Sequence, residues 1–220
     1  MALVALVVIG GATRVMEAGL ACPDWPLCFG SFLPGRQMNV QVFLEWFHRL
    51  DAFLVGIALI AQLIMAVIWR SKLPPWLLFV YSFLVLLVAF QGFLGALTVQ
   101  NLLPPRVVSA HFVLALTLVA CMSGLTQRLL SHGGLASPLW WRLMAGVSLM
   151  AVIGQCLLGS QMATTWAAQR CLAQGEDCQW LYLHRSSAMP VAACLMIYVT
   201  TSLIVGGWAR RQWPYLLAVF

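Results

Sequence analysis

Charged side chains are scarce in this sequence. Only 8% of its 220 residues are charged, while 62% are hydrophobic, and soluble domains usually carry about 25% charged residues. A water-soluble core cannot bury this much apolar side chain, so the composition excludes a soluble globular domain and indicates a membrane protein. The net charge of +6 does not indicate nucleic-acid binding, because the basic residues stand singly or in pairs at the ends of apolar runs.

Several sequence signatures of nucleotide and cofactor binding are also missing. The chain contains no phosphate-binding glycine loop and no dinucleotide-binding fingerprint. It has no Cys-x-x-Cys-His, the sequence that attaches haem c covalently. Its seven cysteines are too few for a disulfide-rich scaffold, so their positions matter more than their number.

Long apolar runs dominate the sequence instead. A helix needs roughly 20 mostly apolar residues to cross a membrane, and five runs are long enough: about 43–69, 75–99, 107–130, 139–162 and 182–207. Shorter apolar runs lie at residues 1–13 and 213–220, and we expect the natural protein to continue beyond both ends. Most breaks between the runs are short, which predicts antiparallel neighbours in an all-α, polytopic transmembrane helical bundle.

Two breaks are longer, at about 14–42 and 163–181, and they fall on the same side of the predicted membrane. All six acidic residues lie on that side or just inside it, whereas the short loops of the other side carry only basic residues. Short loops rich in Lys and Arg face the cytoplasm. We therefore predict a multi-pass protein of the bacterial cytoplasmic membrane, surrounded by lipid, with its long loops outside the cytoplasm.

Three of the four histidines share one position in the predicted helices. His48, His111 and His184 lie near the outer ends of the second, fourth and sixth apolar runs, and therefore at a similar depth. A single such histidine is more often a packing residue than a ligand, but three at matched depth favour ligation of a metal. Imidazole binds iron, copper and zinc. The ligand sets typical of zinc and copper centres are missing from the apolar runs, so histidines of facing helices favour an axially ligated haem.

Acidic side chains share one helical face with the first of these histidines. Glu45 precedes His48 by three residues, and Asp51 follows it by three. A carboxylate beside a metal-bound group can move a proton, but Glu45 is also placed to pair with Arg49 at i,i+4, and both interpretations can hold. Arg49 and Arg185 directly follow histidines, and each is a candidate for a haem propionate contact or for an ordinary interfacial arginine.

Two cysteine pairs lie in the long loops: Cys22 with Cys28, and Cys171 with Cys178. Because an oxidising compartment permits disulfides, we predict one within each pair, either structural or exchangeable. Each pair is followed by a His-Arg dipeptide. This weak repeat predicts two halves of similar plan, residues 1–130 and an incomplete second half, 131–220.

The residues around the first cysteine pair resemble the haem A synthase family. Residues 10–15, Gly-Gly-Ala-Thr-Arg-Val, and 19–28, Gly-Leu-Ala-Cys-Pro-Asp-Trp-Pro-Leu-Cys, are similar to the end of that family's first helix and to its first outer loop. Residues 45–49 resemble its Glu-x-x-His-Arg motif, and residues 91–99 resemble its third helix. His111 and His184 match the histidines of its fourth and sixth helices.

This resemblance implies an eight-helix protein of two four-helix halves, the second of which is incomplete in this sequence. It implies that the N-terminal half binds the substrate haem O near His48 and His111, and that Glu45 is catalytic. The C-terminal half is expected to bind the cofactor haem b through His184 and a histidine of an eighth helix, which has no counterpart in this sequence.

The activity that the resemblance implies is oxidation of the C8 methyl group of haem O to a formyl group by successive hydroxylations. The product, haem A, serves cytochrome oxidase, so haem O synthase and cytochrome oxidase assembly factors are the expected partners. Two other functions stay open. A b-type membrane cytochrome for electron transfer would need the histidines but neither Glu45 nor the cysteine loop. A non-enzymatic haem carrier or assembly protein would pass the haem on unchanged.

Overall fold

The helices of the computed structural model follow the apolar runs of the sequence. The structure describes residues 2–130, 137–176 and 178–204, and over these residues it contains seven α-helices, one short 3₁₀ turn and no strand. The 3₁₀ turn is Gly35–Gln37. The α-helices are α1 (Ala2–Val15), α2 (Val40–Ile68), α3 (Pro75–Gln100), α4 (Pro105–Leu130), α5 (Leu139–Thr164), α6 (Ala167–Gln174) and α7 (Cys178–Ile204).

The five predicted membrane spans are confirmed. The helices α2, α3, α4, α5 and α7 are each long and apolar enough to cross a membrane, so the chain is an all-α, multi-pass membrane protein. The helix α1 has 14 residues, and at about 1.5 Å per residue it reaches about 21 Å, which is less than the roughly 30 Å of a hydrocarbon core. The predicted run at 213–220 and the end of the run at 182–207 lie outside the described residues.

Local residue chemistry sets the ends of these helices. Pro75 and Pro105 are the first residues of α3 and α4, where the missing backbone N–H of proline has no intrahelical partner to lose. The Asn39 side chain accepts a hydrogen bond from the backbone N–H of Val42 and caps α2. These signals explain why the long helices begin close to the predicted positions.

The short helix α6 was not predicted, because its eight residues fall within a break that the hydropathy pattern assigned to a loop. Its flanking residues Trp166 and Gly175 both adopt left-handed backbone conformations, with φ of 55° and 73°. A left-handed residue stops helical hydrogen bonding, so α6 is separated from α5 and α7. A disulfide between Cys171 and Cys178 joins α6 to the first residue of α7.

The chain divides into two compact units, Met1–Ser123 and Gly124–Phe220. In the first unit α2 packs against α1 and α3, and in the second unit α5 packs against α7. The division falls inside α4, whereas the sequence repeat placed it after residue 130. The whole of α2 and the part of α4 up to Ser123 belong to the first unit. His48 and His111 therefore lie in the same unit.

The loop between α1 and α2, residues 16–39, folds around the predicted disulfide between Cys22 and Cys28, which is confirmed. Both cysteines are buried and pack against Val42 of α2. The indole N–H of Trp46, also on α2, donates a hydrogen bond of 2.6 Å to the carbonyl of Phe32. The loop therefore lies against the first turns of α2.

The Asp24 carboxylate holds the tip of this loop. It accepts hydrogen bonds of 2.7 Å from the backbone N–H groups of Phe29 and Gly30, which have positive φ values of 54° and 68°. These contacts, chiefly the one from Gly30, lower the pKa of Asp24 below its ordinary value. A lowered pKa in the folded protein means that the stabilisation is present above the unfolded pKa and is lost as the pH falls through the folded value.

We expect Asp24→Asn to lower the thermal unfolding temperature at neutral pH, because an amide cannot accept both N–H groups through its two terminal atoms. The difference from the parent protein should begin to shrink as the pH falls below about 4, the pKa of the carboxylate in the unfolded chain, and should disappear as the pH falls through the lower pKa of the folded protein. Unfolding in detergent between pH 3 and 7 measures this effect. The exposed Glu176→Gln serves as the control, and a gap for Asp24→Asn that stays constant with pH would exclude the carboxylate as the cause.

Candidate functional site

His48 and His111 both belong to the first unit. Each imidazole sits roughly two turns from the start of its helix, α2 or α4. The two histidines therefore occupy similar positions along two helices of the same unit, and their convergence on one bound group stays a prediction.

One ring nitrogen of each of these histidines is buried without a partner. Within the described part of the chain, Nδ1 of His48 and Nδ1 of His111 are buried without a hydrogen-bond partner. Buried polar atoms in folded proteins nearly always have a partner, and leaving one unpaired costs about 1–3 kcal/mol. Two half-buried imidazoles, each with a buried and unpartnered Nδ1 atom, fit a haem group, whose iron takes imidazole nitrogens as axial ligands.

Glu45, one turn before His48, is buried, with only 4% of its surface exposed. Its Oε2 accepts a 2.8 Å hydrogen bond from the backbone N–H of Cys22, and its Oε1 accepts one from Nη2 of Arg49. The predicted i,i+4 pair of Glu45 with Arg49 is therefore confirmed. Removing one partner of a buried ion pair costs about 3–5 kcal/mol, so this pair fixes the carboxylate firmly.

The guanidinium group of Arg49 donates hydrogen bonds to the first loop. Nη1 donates to the carbonyls of Asp24 at 2.6 Å and Leu27 at 2.5 Å. Nη2 donates to the carbonyl of Cys22 at 3.4 Å and to Glu45. These four hydrogen bonds engage both Nη groups, and the three to backbone carbonyls attach the disulfide-closed segment of the loop to α2. The carboxylate of Glu45 is thus held from the helix by Arg49 and from the loop by Cys22.

Two other predicted site residues have different surroundings. Asp51, two turns beyond Glu45 on α2, is partly buried, and its Oδ2 is buried without a hydrogen-bond partner in the described residues. Arg185, which follows His184 on α7, is exposed. Arg185 therefore differs from Arg49, although both stand directly after a histidine.

His184 belongs to the second unit, where Gln155 of α5 holds it. The side-chain nitrogen of Gln155 donates a 2.9 Å hydrogen bond to the backbone carbonyl of His184 and lies 3.2 Å from the Nδ1 atom of His184. The Gln155 oxygen accepts a 2.6 Å hydrogen bond from the hydroxyl of Ser187. These hydrogen bonds contact the Nδ1 atom of His184 and do not involve its Nε2 atom.

A glutamine on α3, Gln91, makes a similar contact in the first unit. Neither Gln91 nor Gln155 was predicted from the sequence to have a role. Gln91 donates 2.9 Å to the backbone carbonyl of His111. Gln91 and Gln155 both stand four residues before a glycine, at Gly95 and Gly159. This shared Gln-x-x-x-Gly spacing, in a helix that packs beside a histidine, is the sequence signal that could have identified them.

Comparison with known proteins identifies relatives along nearly the whole chain. The family model described as cytochrome oxidase assembly protein, COX15-CtaA, matches residues 1–219. A heme A synthase of Shewanella oneidensis is 31% identical over 196 residues, which cover 76% of this chain and 56% of the relative. A heme A synthase of Bradyrhizobium diazoefficiens is 29% identical over 202 residues, which cover 74% of this chain and 54% of the relative.

The chain spans about half the length of the curated relatives it matches. No solved structure matches it. The family model nevertheless covers both units, and it agrees with the resemblance found at residues 10–15, 19–28 and 45–49. The chain therefore belongs to the COX15-CtaA family of cytochrome oxidase assembly proteins.

Proposed function

We propose that this protein acts as a haem A synthase, which oxidises the C8 methyl group of haem O to a formyl group by successive hydroxylations. Family membership and the named relatives support this activity. The observation that carries it is the placement of a buried carboxylate, Glu45, one turn from His48, which is one of two imidazoles of the first unit with an unpartnered Nδ1 atom. Iron ligands and a proton-transfer group would then share one site.

In this proposal His48 and His111 bind the iron of the substrate haem O within the first unit. The porphyrin iron, when bound, supplies the redox chemistry. The residues of the chain supply position and proton transfer. The apolar side chains of α2, α3 and α4 would surround the bound porphyrin and would exclude water from the methyl group.

Glu45 is the proposed catalytic residue, and its Oε atoms take up protons released as the methyl group is oxidised. A carboxylate offers about four acceptor positions, and Cys22 and Arg49 use only part of them. The two hydrogen bonds therefore orient Glu45 without using its whole acceptor capacity. Asp51, deeper in α2 with an unpartnered Oδ2, is the proposed next acceptor for these protons.

The second unit is proposed to hold the cofactor haem b, with His184 as an axial ligand. The side-chain nitrogen of Gln155 lies against the imidazole on its Nδ1 side, and this contact restricts the orientation of the ring. Arg185 is exposed beside this histidine and is proposed to bind a haem propionate. Arg49 has both Nη groups bonded to the loop and to Glu45, so we propose that it positions Glu45 instead.

The proposed location is the bacterial cytoplasmic membrane, with both long loops outside the cytoplasm. Both loops contain disulfides, and disulfides persist in oxidising compartments. This arrangement agrees with the distribution of basic residues in the short loops. Haem O synthase and cytochrome oxidase assembly factors are the proposed partners, because one supplies the substrate and the others use the product.

Two other functions make different predictions for the bound pigment. A b-type cytochrome would retain haem b alone, and a haem carrier would return haem O unaltered. Expression of the full chain in a host that makes haem O, followed by acid extraction and chromatography of the pigment, separates the three. Haem A in the extract supports the synthase, and unaltered haem O or haem b alone contradicts it.

We expect Glu45→Gln to keep haem O bound and to lower the yield of haem A by about 100-fold or more, the usual contribution of acid–base catalysis. The amide can still accept the Cys22 N–H, so the loop contact is preserved. Glu17→Gln, which changes an exposed carboxylate of the same loop, should leave the yield unchanged. A normal haem A yield from Glu45→Gln would remove Glu45 from the mechanism.

Arg49 and Arg185 are expected to respond differently to replacement by lysine. Arg49→Lys loses the planar fork that reaches the loop carbonyls, so the Cys22–Cys28 disulfide should be reduced about tenfold faster by a thiol, which corresponds to one lost charged hydrogen bond. Arg185→Lys should leave that rate unchanged and weaken haem binding in the second unit. Alkylation and mass spectrometry give the first readout, and pigment titration gives the second. Equal reduction rates in both variants would contradict the positioning role of Arg49.

A further inference from the structure

Each of the three proposed haem-binding histidines lies against a glycine of a neighbouring helix. A Cβ atom added to Gly10 of α1 would lie 2.8 Å from Cε1 of His48. One added to Gly159 of α5 would lie 2.9 Å from Cε1 of His184, and one added to Gly95 of α3 would lie 3.3 Å from Cε1 of His111. The same contact therefore occurs three times, on three different helix pairs.

These distances leave no room for a methyl group. Carbon atoms in contact are normally about 3.5–4.0 Å apart, so an alanine at residue 10 or 159 would force the imidazole to move. At residue 95 the ring would need to move by only a few tenths of an ångström. Cε1 is bonded to both ring nitrogens, so any displacement of this atom moves both nitrogens that could bind iron.

Backbone conformation does not explain these glycines. The positive-φ glycines of the described chain are Gly30, Gly35 and Gly175, and none of these faces a histidine. A glycine inside a helix costs about 1 kcal/mol relative to alanine, and a close packing contact is one reason for glycine at such a position. The space required by the imidazole supplies that reason at residues 10, 95 and 159.

The contact is also specific to one glycine on each helix. Gly11 of α1, Gly92 of α3 and Gly154 of α5 have nothing within 4 Å of an added Cβ atom. Helix packing in general therefore does not bring every glycine of these helices against a neighbour. These three residues also provide a matched control for each contact.

We propose that Gly10, Gly95 and Gly159 are positioning residues for haem ligation, because the absence of a Cβ atom lets the imidazole of His48, His111 or His184 lie against the adjacent helix in the orientation that binds iron. This proposal rests on the haem ligation in the proposed function. It goes beyond the proposed function by assigning a role to three glycines that lie against the ligating rings. Groups that orient a metal ligand typically contribute 10- to 100-fold to metal affinity.

The first experiment titrates the purified full chain with hemin and records the Soret spectrum and the dissociation constant. Measured in a His184→Ala background, Gly10→Ala should weaken hemin binding by about tenfold or more and shift the spectrum, while Gly11→Ala should not. Gly95→Ala should have a smaller effect than Gly10→Ala, because its contact is longer, and Gly92→Ala should have none. In a His48→Ala background, Gly159→Ala should weaken binding and Gly154→Ala should not.

The second experiment separates ring displacement from helix packing and needs no haem. In a double-mutant cycle of thermal unfolding, the destabilisation by Gly10→Ala should disappear in the His48→Ala background, because the imidazole that meets the new methyl group is gone. If Gly10→Ala alone does not fold, recovery of folding by His48→Ala supports the proposal. Persistence of the defect in the double variant overturns it.

The remaining outcomes distinguish this proposal from the proposed activity. Equal hemin affinities and spectra for Gly10→Ala and Gly11→Ala overturn the positioning role while leaving the synthase activity standing. If the glycine variants change hemin binding as expected but the parent protein yields no haem A, the positioning role is supported and the proposed oxidation of haem O is contradicted. A parent chain that binds no hemin overturns both.

Discussion

The structure depends on the requirement that polar groups in a membrane-spanning helix find partners inside the protein. Hydroxyl groups meet this requirement locally: Ser82 donates to the Leu78 carbonyl, and Thr117 donates to the Val113 carbonyl, each one turn back. Along α2, α3 and α4 the buried side-chain atoms without a partner are four: Nδ1 of His48, Nδ1 of His111, Oδ2 of Asp51 and Oε1 of Gln91. These exceptions belong to the histidines, to a carboxylate of the same helical face, and to the glutamine beside His111. Unsatisfied groups that concentrate in this way indicate a binding site.

The position of Glu45 depends as much on the first loop as on α2. The backbone N–H of Cys22 reaches its Oε2, and the disulfide with Cys28 closes the segment that carries this N–H. Arg49 holds the same segment through its carbonyls. A mobile loop would leave a buried, partly unpaired carboxylate, which is costly. The loop therefore performs two tasks at once, since it satisfies the carboxylate and restricts its orientation.

The predictions from sequence succeeded where the controlling interactions are local. Apolar runs predicted the five spans, because lipid acts on each helix separately. The spacing of Glu45 and Arg49 predicted their ion pair, because residues four apart meet on any α-helix. Cysteines a few residues apart predicted both disulfides, because a short loop brings the two thiols close together.

The contacts that the sequence did not predict depend on the packing of separate segments. The carbonyls bound by Arg49 come from the path of the first loop, which no helical periodicity describes. The glutamine contacts to His111 and His184, and the glycines that face the imidazoles, depend on how neighbouring helices are rotated against each other. The eight-residue helix α6 gave too short an apolar signal to be distinguished from a loop. The loop carbonyls, the glutamine contacts and the glycines each restrict the orientation of a side chain. The sequence pattern predicted mainly where that side chain stands along its helix.

The two units share a way of holding a histidine but differ in the residue that stands three positions before it. Before His48 this residue is Glu45, which is held by Arg49 and the first loop, and before His184 it is Leu181. The arginine after His184 is exposed, whereas the one after His48 is bonded to the loop. A site with a buried carboxylate can exchange protons with a bound molecule, and a site with leucine in that place can hold a haem but offers it no such proton acceptor at this position. In the proposed function, these two differences accompany substrate oxidation in the first unit and haem retention in the second.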